Sequence, residues 1–379
     1  MFANENTMQH MSMTTYFRGM PSPETLTQIA SKYRRVIIFV DFNNISRGFY
    51  KPEIIADIVT YMVNNSSIPG YVLKDWITFQ LYFEAWAMLQ RKQLNVVYFC
   101  ESGESYYHKN LLSSYKANRI TSRFVLADGL MMQFDNNIDK VEEVFRAFKF
   151  RLWKWIEAIA SMSHIPMFRF ENLDADFIPE YLLRRTKLYD DDTCYVILSN
   201  DGDMIQTIDV ADNVFVVDGE IVITETNWYV SKKYLAEGST GLIEPGTTVP
   251  GDRIILYKAV AGDTADSIPG VKGMGKKTVF KDLLPLIPAN VRCDDLLAMK
   301  QIMTQNAANN KAAAKVLANW DSFVLGVKLV SFNHMIEHLK SVPTRVSEFR
   351  NLIERSGVEA LTEGSTVMSM MRSGEVALT

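Results

Sequence analysis

The chain of 379 residues is poor in the side chains that cross-link or bind soft metals, with three cysteines and five histidines. Cys100, Cys194 and Cys293 are far apart and odd in number. That excludes a disulfide framework and any Cys-x-x-Cys zinc site, and it suits a reducing cytoplasm. The histidines show no ligand spacing. No apolar run approaches the roughly twenty residues needed to cross a bilayer. The polar start, with Met1, Met8, Met11 and Met13, lacks a basic-then-apolar signal, so no membrane partner is expected. Positive charge is not in excess either. A net charge of −4 argues against a protein that coats nucleic acid through one broad basic face. With 47% hydrophobic residues the chain can bury a large core, as one big domain plus a smaller one or as two intimate lobes.

Several short apolar runs end on acids. Arg35-Val-Ile-Ile-Phe-Val-Asp41 reads as a strand buried on both faces, and Leu94–Phe99 as a second, followed by Glu101. Ile165–Phe170 precedes Asp174 and Asp176, and Thr193–Ser199 leads into Asp201 and Asp203; Val214–Val217 is a fifth strand. Helical patterns over 52–62, 74–93 and 139–159 alternate with these runs, which predicts an α/β fold with a mostly parallel sheet. Ligands of such sheets sit beyond the carboxyl ends of the strands, where these acids fall. Each acid alone has a structural explanation, as a helix cap or a turn. Four strands delivering acid to one edge would repel unless cations neutralise them, and an all-oxygen donor set favours Mg²⁺ or Mn²⁺.

Further along, Gly262-Asp263-Thr-Ala-Asp266 joins two more acids to Gly270-Val-Lys-Gly273-Met-Gly275-Lys276-Lys277-Thr278. Glycines allow turn geometry and close approach to a ligand, and a helix starting near Lys276 aims free N–H groups at an anion. Seven positions fit a nucleotide-binding P-loop. The eighth, Lys277, is not the Ser or Thr that motif needs, and no strand precedes it. Between Arg91 and Arg123 the basic residues Arg91, Lys92, Lys109, Lys116, Arg119 and Arg123 outnumber Glu101 and Glu104, with Tyr106, Tyr107, Tyr115 and Phe124 interleaved. That mixture suits a single-strand channel and equally a solvated helix face.

In order and spacing these blocks resemble the flap endonuclease and 5′→3′ exonuclease superfamily, and most of all its stand-alone bacteriophage ribonuclease H enzymes. Val40-Asp41-Phe-Asn-Asn44 resembles the first metal block, and Tyr115-Lys116-Ala-Asn-Arg119 the arch motif. Asp174-Ala-Asp176-Phe177 and Ser199-Asn-Asp201-Gly-Asp203 resemble the next two metal blocks, and Gly262–Thr278 the helix-three-turn-helix. The resemblance spans about 36–281. It implies a PIN-like nuclease core with helices on both faces of the sheet, and two Mg²⁺ or Mn²⁺ ions held by Asp41, Glu101, Asp174, Asp176, Asp201, Asp203, Asp263 and Asp266. Lys116 and Arg119 would act on the scissile phosphate from an arch. Gly270, Gly273, Gly275, Lys276, Lys277 and Thr278, joined by Lys109 and Arg123, would hold nucleic acid, with a place for K⁺ at the glycines.

The segments implied are an extension over 1–30, a nuclease domain over 31–245 with its arch around 104–150, a helical DNA-binding region over 246–345, and a loose tail over 346–379. The expected activity is hydrolysis at 5′ ends or flaps of DNA and RNA–DNA duplexes, in primer removal or repair. The chain would act as a monomer in the cytoplasm, that of the host cell if viral, with a replication clamp or single-strand-binding protein as partner. Phe177 stands where the family has a carboxylate, Glu101 where it has Asp, and Ser267 where it has Asn. Two alternatives keep the fold: a DNA-structure-binding protein with weakened catalysis, and an RNA-processing nuclease.

Overall fold

A computed structural model describes residues 19–46, 105–117, 191–230 and, apart from 245, 243–339, with most of 57–101 and parts of 137–186. The apolar runs form a sheet in the order β3-β2-β1-β4-β5-β6. Its strands are β1 (Arg35–Asp41), β2 (Gln93–Phe99), β3 (Met167–Phe168), β4 (Thr193–Leu198), β5 (Val214–Asp218) and β6 (Ile221–Ile223). The first five pair in parallel and β6 closes the edge antiparallel to β5. β6 is too short and too exposed to have stood out in the sequence. The register pairs Asp41 with Phe99 and Val40 with Leu198, so β1, β2 and β4 end at one level.

Because β1 is buried on both sides, it divides the interior into two cores. Val36, Ile38 and Val40 join a core with α1 (Pro23–Ala30) and α2 (Gly70–Leu89), centred on Trp76, Tyr82 and Trp86. Ile37 and Phe39 face the other core, which α4 (Ile178–Thr186), α5 (Arg253–Ala261) and the C-terminal helices share. Those helices are α6 (Leu296–Asn306), α7 (Lys311–Ala318), α8 (Trp320–Val330) and α9 (Phe332–His338). A short helix, α3 (Tyr106–Leu111), follows β2. The expected helices on both faces are present.

Residues 23–30, expected within an extension, are a packed helix. Ser22 caps it by accepting from the Thr25 N–H at 3.2 Å, with Pro23 in the first turn where its missing donor costs nothing. Leu26, Ile29 and Ala30 are buried. The Trp86 indole donates to Thr27 (3.1 Å), and the Lys92 ammonium to the carbonyls of Ala30 (2.9 Å) and Tyr33 (2.6 Å). The described positions of 139–160 are helical, and the tail 346–379 lies outside the described residues. Cys100, Cys194 and Cys293 are buried, and none forms a disulfide among the described residues. Among the described residues no helix is long and apolar enough to cross a membrane.

Candidate active site

The carboxyl edge of the sheet gathers the acids. Asp41, the last residue of β1, caps the short helix Phe42–Ile45, its Oδ1 accepting from the Asn44 N–H at 3.1 Å. Its Oδ2 accepts from the Ser199 hydroxyl at 2.6 Å. Asp201 likewise caps the turn that follows β4, accepting from the Asp203 N–H at 3.1 Å. The capping roles are therefore real, and they also fix where the carboxylates stand. Asp41 is pushed up to about 7 by burial, with Asp201 and Glu101 adding to it. Asp176 is raised well above the usual carboxylate range by burial and by its neighbours Asp201, Asp174 and Asp41. Burial raises Asp203 to about 7 as well.

Among the described residues, two lysines answer this charge. The Lys116 ammonium lies 2.5 Å from Asp174 Oδ1 and 3.2 Å from Glu101 Oε1. Burial works to raise the Asp174 carboxyl, yet Lys116, His108 and the Tyr115 hydroxyl that donates at 2.8 Å hold it well below its ordinary range. Lys116 has φ +56°, in the left-handed region, and its N–H donates to the Asp266 carbonyl at 3.1 Å. Lys258, buried in α5, lies 2.6 Å from Asp203 Oδ1 and 2.9 Å from Asp263 Oδ2. Those acids, with Asp201 and Asp266, raise its ammonium well above the usual lysine range against the opposing effect of burial. Nothing in the motif pattern singled out Lys258; the usable signal was one cation in the apolar run Ile254-Ile-Leu-Tyr-Lys-Ala-Val260.

The site residues thus divide. Asp41, Glu101, Asp174, Asp176, Asp201, Asp203, Asp263 and Asp266 are brought to one region, with Lys116 among them. Arg119 and Arg123 lie outside the described residues. Lys109 is turned back on its own loop, donating to the Ser113 carbonyl at 3.4 Å. Phe177 is fully buried, packed on Phe170 and Tyr181 at centroid distances of 5.7 and 6.2 Å. It is a core residue, its ring packed among other aromatic rings where the family has a carboxylate.

Among the described residues no three Asp, Glu, His or Cys side chains stand close enough together to hold a metal ion. The donor set nevertheless fits a hard divalent cation. It is all oxygen, and several of its carboxylates are held above their ordinary range by burial and mutual repulsion.

Downstream, Asp263 and Ile268 pair as an isolated antiparallel bridge, and helical turns begin at Lys276. Gly270 is required: its φ is +66°, and a Cβ there would lie 2.5 Å from the Gly262 nitrogen. Gly275 is extended, with open space beside it, so its backbone alone does not demand glycine. Lys272 and Lys277 are exposed, and the Lys276 ammonium lies 5.8 Å from the centre of the Tyr257 ring. Lys315 of α7 donates to the Gly273 carbonyl at 3.2 Å.

No protein-family model matches the chain. It is 31% identical over 173 residues to DNA polymerase I of Caldicellulosiruptor bescii, a match covering 46% of this chain and 16% of the polymerase. It is 26% identical over 151 residues to a 5′-3′ exonuclease of Mycoplasmopsis pulmonis, covering 39% of this chain and 43% of that one. The chain therefore spans less than half the length of each of these relatives. The fold is similar to the crystal structure of the bacteriophage T5 flap endonuclease in complex with DNA and metal ions, with TM-score 0.53 and 16% identity over 85% of this chain and 99% of that one. In sequence and in fold, this chain resembles the flap endonuclease and 5′→3′ exonuclease superfamily.

Proposed function

We propose that the chain is a divalent-cation-dependent 5′ nuclease that hydrolyses phosphodiester bonds at 5′ ends or flaps of DNA and RNA–DNA duplexes. The observation that carries this reading is the excess of buried carboxylate at the sheet edge, answered by two lysines. The names of the similar proteins, exonucleases and a flap endonuclease with DNA and metal ions, agree with it.

Asp41, Asp174, Asp176 and Asp201, with Glu101, would hold one Mg²⁺ or Mn²⁺, and Asp203, Asp263 and Asp266 a second. Such ions lower the pKa of bound water and neutralise charge on the attacking and leaving oxygens. The chain's own residues do the rest. Lys116 stands between Asp174 and Glu101 as the cation that a scissile phosphate would draw toward itself, and its backbone is set by the Asp266 carbonyl. Lys272, Lys276 and Lys277 beside Gly270 and Gly273 offer charge and backbone N–H groups to duplex phosphates. That grip reads DNA structure and not sequence. On this reading residues 31–245 form the nuclease domain and 246–345 the duplex-binding region with its helix-three-turn-helix, a place for K⁺ included. Primer removal, with a clamp or single-strand-binding protein as recruiter, is the matching role.

The test is product mapping on end-labelled 5′-overhang, nicked and flap substrates with Mg²⁺, Mn²⁺ or chelator. Short products from the 5′ end, appearing only with a divalent ion, are expected. Cleavage that persists in chelator, or none on any 5′-ended substrate, overturns the reading.

A further inference from the structure

The last four carbonyls of an α-helix lack partners within the helix and must find them elsewhere. In α8 only the first of the four, Val327, is satisfied locally, by the Ser331 N–H at 2.9 Å. The other three accept from side chains that lie far away in sequence. Lys328 accepts from the Tyr107 hydroxyl (3.2 Å), Leu329 pairs with His108 Nε2 (3.1 Å), and Val330 accepts from Gln206 Nε2 (3.0 Å). Two of these donors, His108 and Gln206, sit next to the acid cluster, His108 Nδ1 lying 3.4 Å from Asp174 Oδ2.

His108 is fully buried. A carbonyl can only accept, so Nε2 carries the proton toward Leu329 and Nδ1 is left as the acceptor for the Ser105 hydroxyl at 2.7 Å. The ring lies flat against Tyr115, at a centroid distance of 4.3 Å and 11° between planes. Tyr115 is the residue whose hydroxyl holds Asp174 Oδ2, leaving Oδ1 to Lys116. Gln206 is equally buried and completely bonded. Its amide donates to the Asp203 carbonyl (3.2 Å) as well as to Val330, and its oxygen accepts from the Phe332 N–H (3.2 Å). Acids from two separate loops are thereby tied to one helix end. That helix is in turn seated on α5, the bearer of Lys258: a Cβ on Gly326 would lie 2.7 Å from the Ala259 Cα.

We propose that the carboxyl end of α8 is the frame on which the acid cluster is registered, with His108 and Gln206 as positioning residues. The proposal rests on the nuclease reading for its chemistry. Any movement of α8 would then be felt at Asp174 and at Asp203 together, while neither His108 nor Gln206 touches the substrate. A core histidine and glutamine that merely satisfied their own polar groups would contribute to stability and leave the geometry of the acids alone.

The experiment uses His108→Phe, which keeps the stack on Tyr115 but removes both ring nitrogens, and Gln206→Met, which keeps the volume but removes the amide. His108→Gln restores a donor for Leu329. Thermal melts, flap-DNA affinity without divalent ion, single-turnover cleavage at saturating DNA, and Mn²⁺ affinity by electron paramagnetic resonance are measured for each. A misplacement of about 1 Å can cost on the order of a hundredfold, so His108→Phe and Gln206→Met are expected to cleave about ten to a hundred times more slowly and to bind Mn²⁺ more weakly. DNA affinity and cooperative melting should persist, and His108→Gln should recover much of the rate. Unchanged Mn²⁺ affinity and rate in both variants overturns the proposal, as does a loss that merely follows the unfolded fraction. Should the wild type cleave nothing, the nuclease reading fails, while the Mn²⁺ measurement still decides whether His108 and Gln206 position the acids.

Discussion

Asp41 and Asp294 are both buried aspartates, 4% and 8% exposed, and their surroundings treat them in opposite ways. Asp294 receives Arg292 through two bonds of 3.0 and 3.1 Å, the Ser331 hydroxyl at 2.9 Å and the Asn333 amide at 2.8 Å. Burial works to raise it, yet these partners hold it below its ordinary range. Asp41 receives one N–H and one hydroxyl, faces Asp201 and Glu101, and is pushed up to about 7. The first acid is complete as it stands. The second belongs to a group that, among the described residues, carries more negative charge than its two lysines answer. On the proposed reading, the difference separates an acid that holds the C-terminal helices together from one kept for chemistry, although both are equally hidden.

Exchanging the charges is the largest way to test that contrast. Asp201→Asn with Asp203→Asn is expected to abolish cleavage while leaving duplex affinity and melting temperature close to wild type, because repulsion is relieved as the proposed metal ligands are lost. Asp294→Asn should do the reverse. It weakens charge-assisted bonds to Arg292 and costs about 2 kcal/mol of stability, while the folded fraction still cleaves. Single-turnover assays beside thermal melts check both. Near-normal turnover in the double variant, or a dead but stable Asp294→Asn, would remove the distinction.

The cations should separate in the same manner. Lys116→Ala is expected to slow single-turnover cleavage by about two orders of magnitude, the size typical of losing a charge that acts on the transition state. Arg292→Ala should lower the melting temperature, with cleavage per folded molecule retained. Equal effects of the two on rate would mean that Lys116 is only a structural counter-ion.

Much of this was legible in the residues, and the limits were physical. The Val- and Ile-rich runs of β1, β2, β4 and β5 and the acids behind them could be read directly, since a strand buried on both faces must be continuously apolar. Spacing does not say which way a side chain points. Phe177, adjacent to Asp176, aligns with a carboxylate position, and only its contacts with Phe170 and Tyr181 reveal a core residue. Lys258 was hidden for the opposite reason: it is a charge inside an apolar helix, and its partners Asp203 and Asp263 come from two other segments. His108 and Gln206 carry no pattern at all, because what they bond are backbone carbonyls of a helix more than a hundred residues away.

A smaller effect should appear in the pH dependence of stability. Asp41 and Asp203 titrate at about 7 when folded, above the ordinary carboxylate value near 4, so between these limits the folded chain retains protons that the unfolded chain has lost. Their contribution to stability is present below about pH 4 and is lost as pH rises through about 7. Without divalent ions, the melting temperature should therefore fall between pH 6 and pH 8, and Mg²⁺ should raise it more at pH 8 than at pH 6. Asp294→Asn should leave that difference intact, and Asp41→Asn should reduce it. A Mg²⁺ effect independent of pH would show that the edge carboxylates are already ionised.

The smallest expected effect tests strain at the acid edge. Ser267 has φ +62°, a left-handed conformation that costs most side chains about 1–2 kcal/mol and that Asn tolerates better. Its buried hydroxyl has no hydrogen-bond partner among the described residues, so the serine gains nothing from them to offset the strain. It directly follows Asp266, whose carbonyl sets the backbone of Lys116. Ser267→Asn should therefore stabilise the chain by about 0.5 kcal/mol, seen as a slightly higher denaturation midpoint at unchanged slope. If cleavage also holds, the strain is incidental to the lysine that Asp266 positions. A slower variant with a higher midpoint would mean that the strained turn is part of how Lys116 is held. A lower midpoint would mean that the left-handed turn is relieved elsewhere, and that this edge differs from the Asp294 region in charge alone.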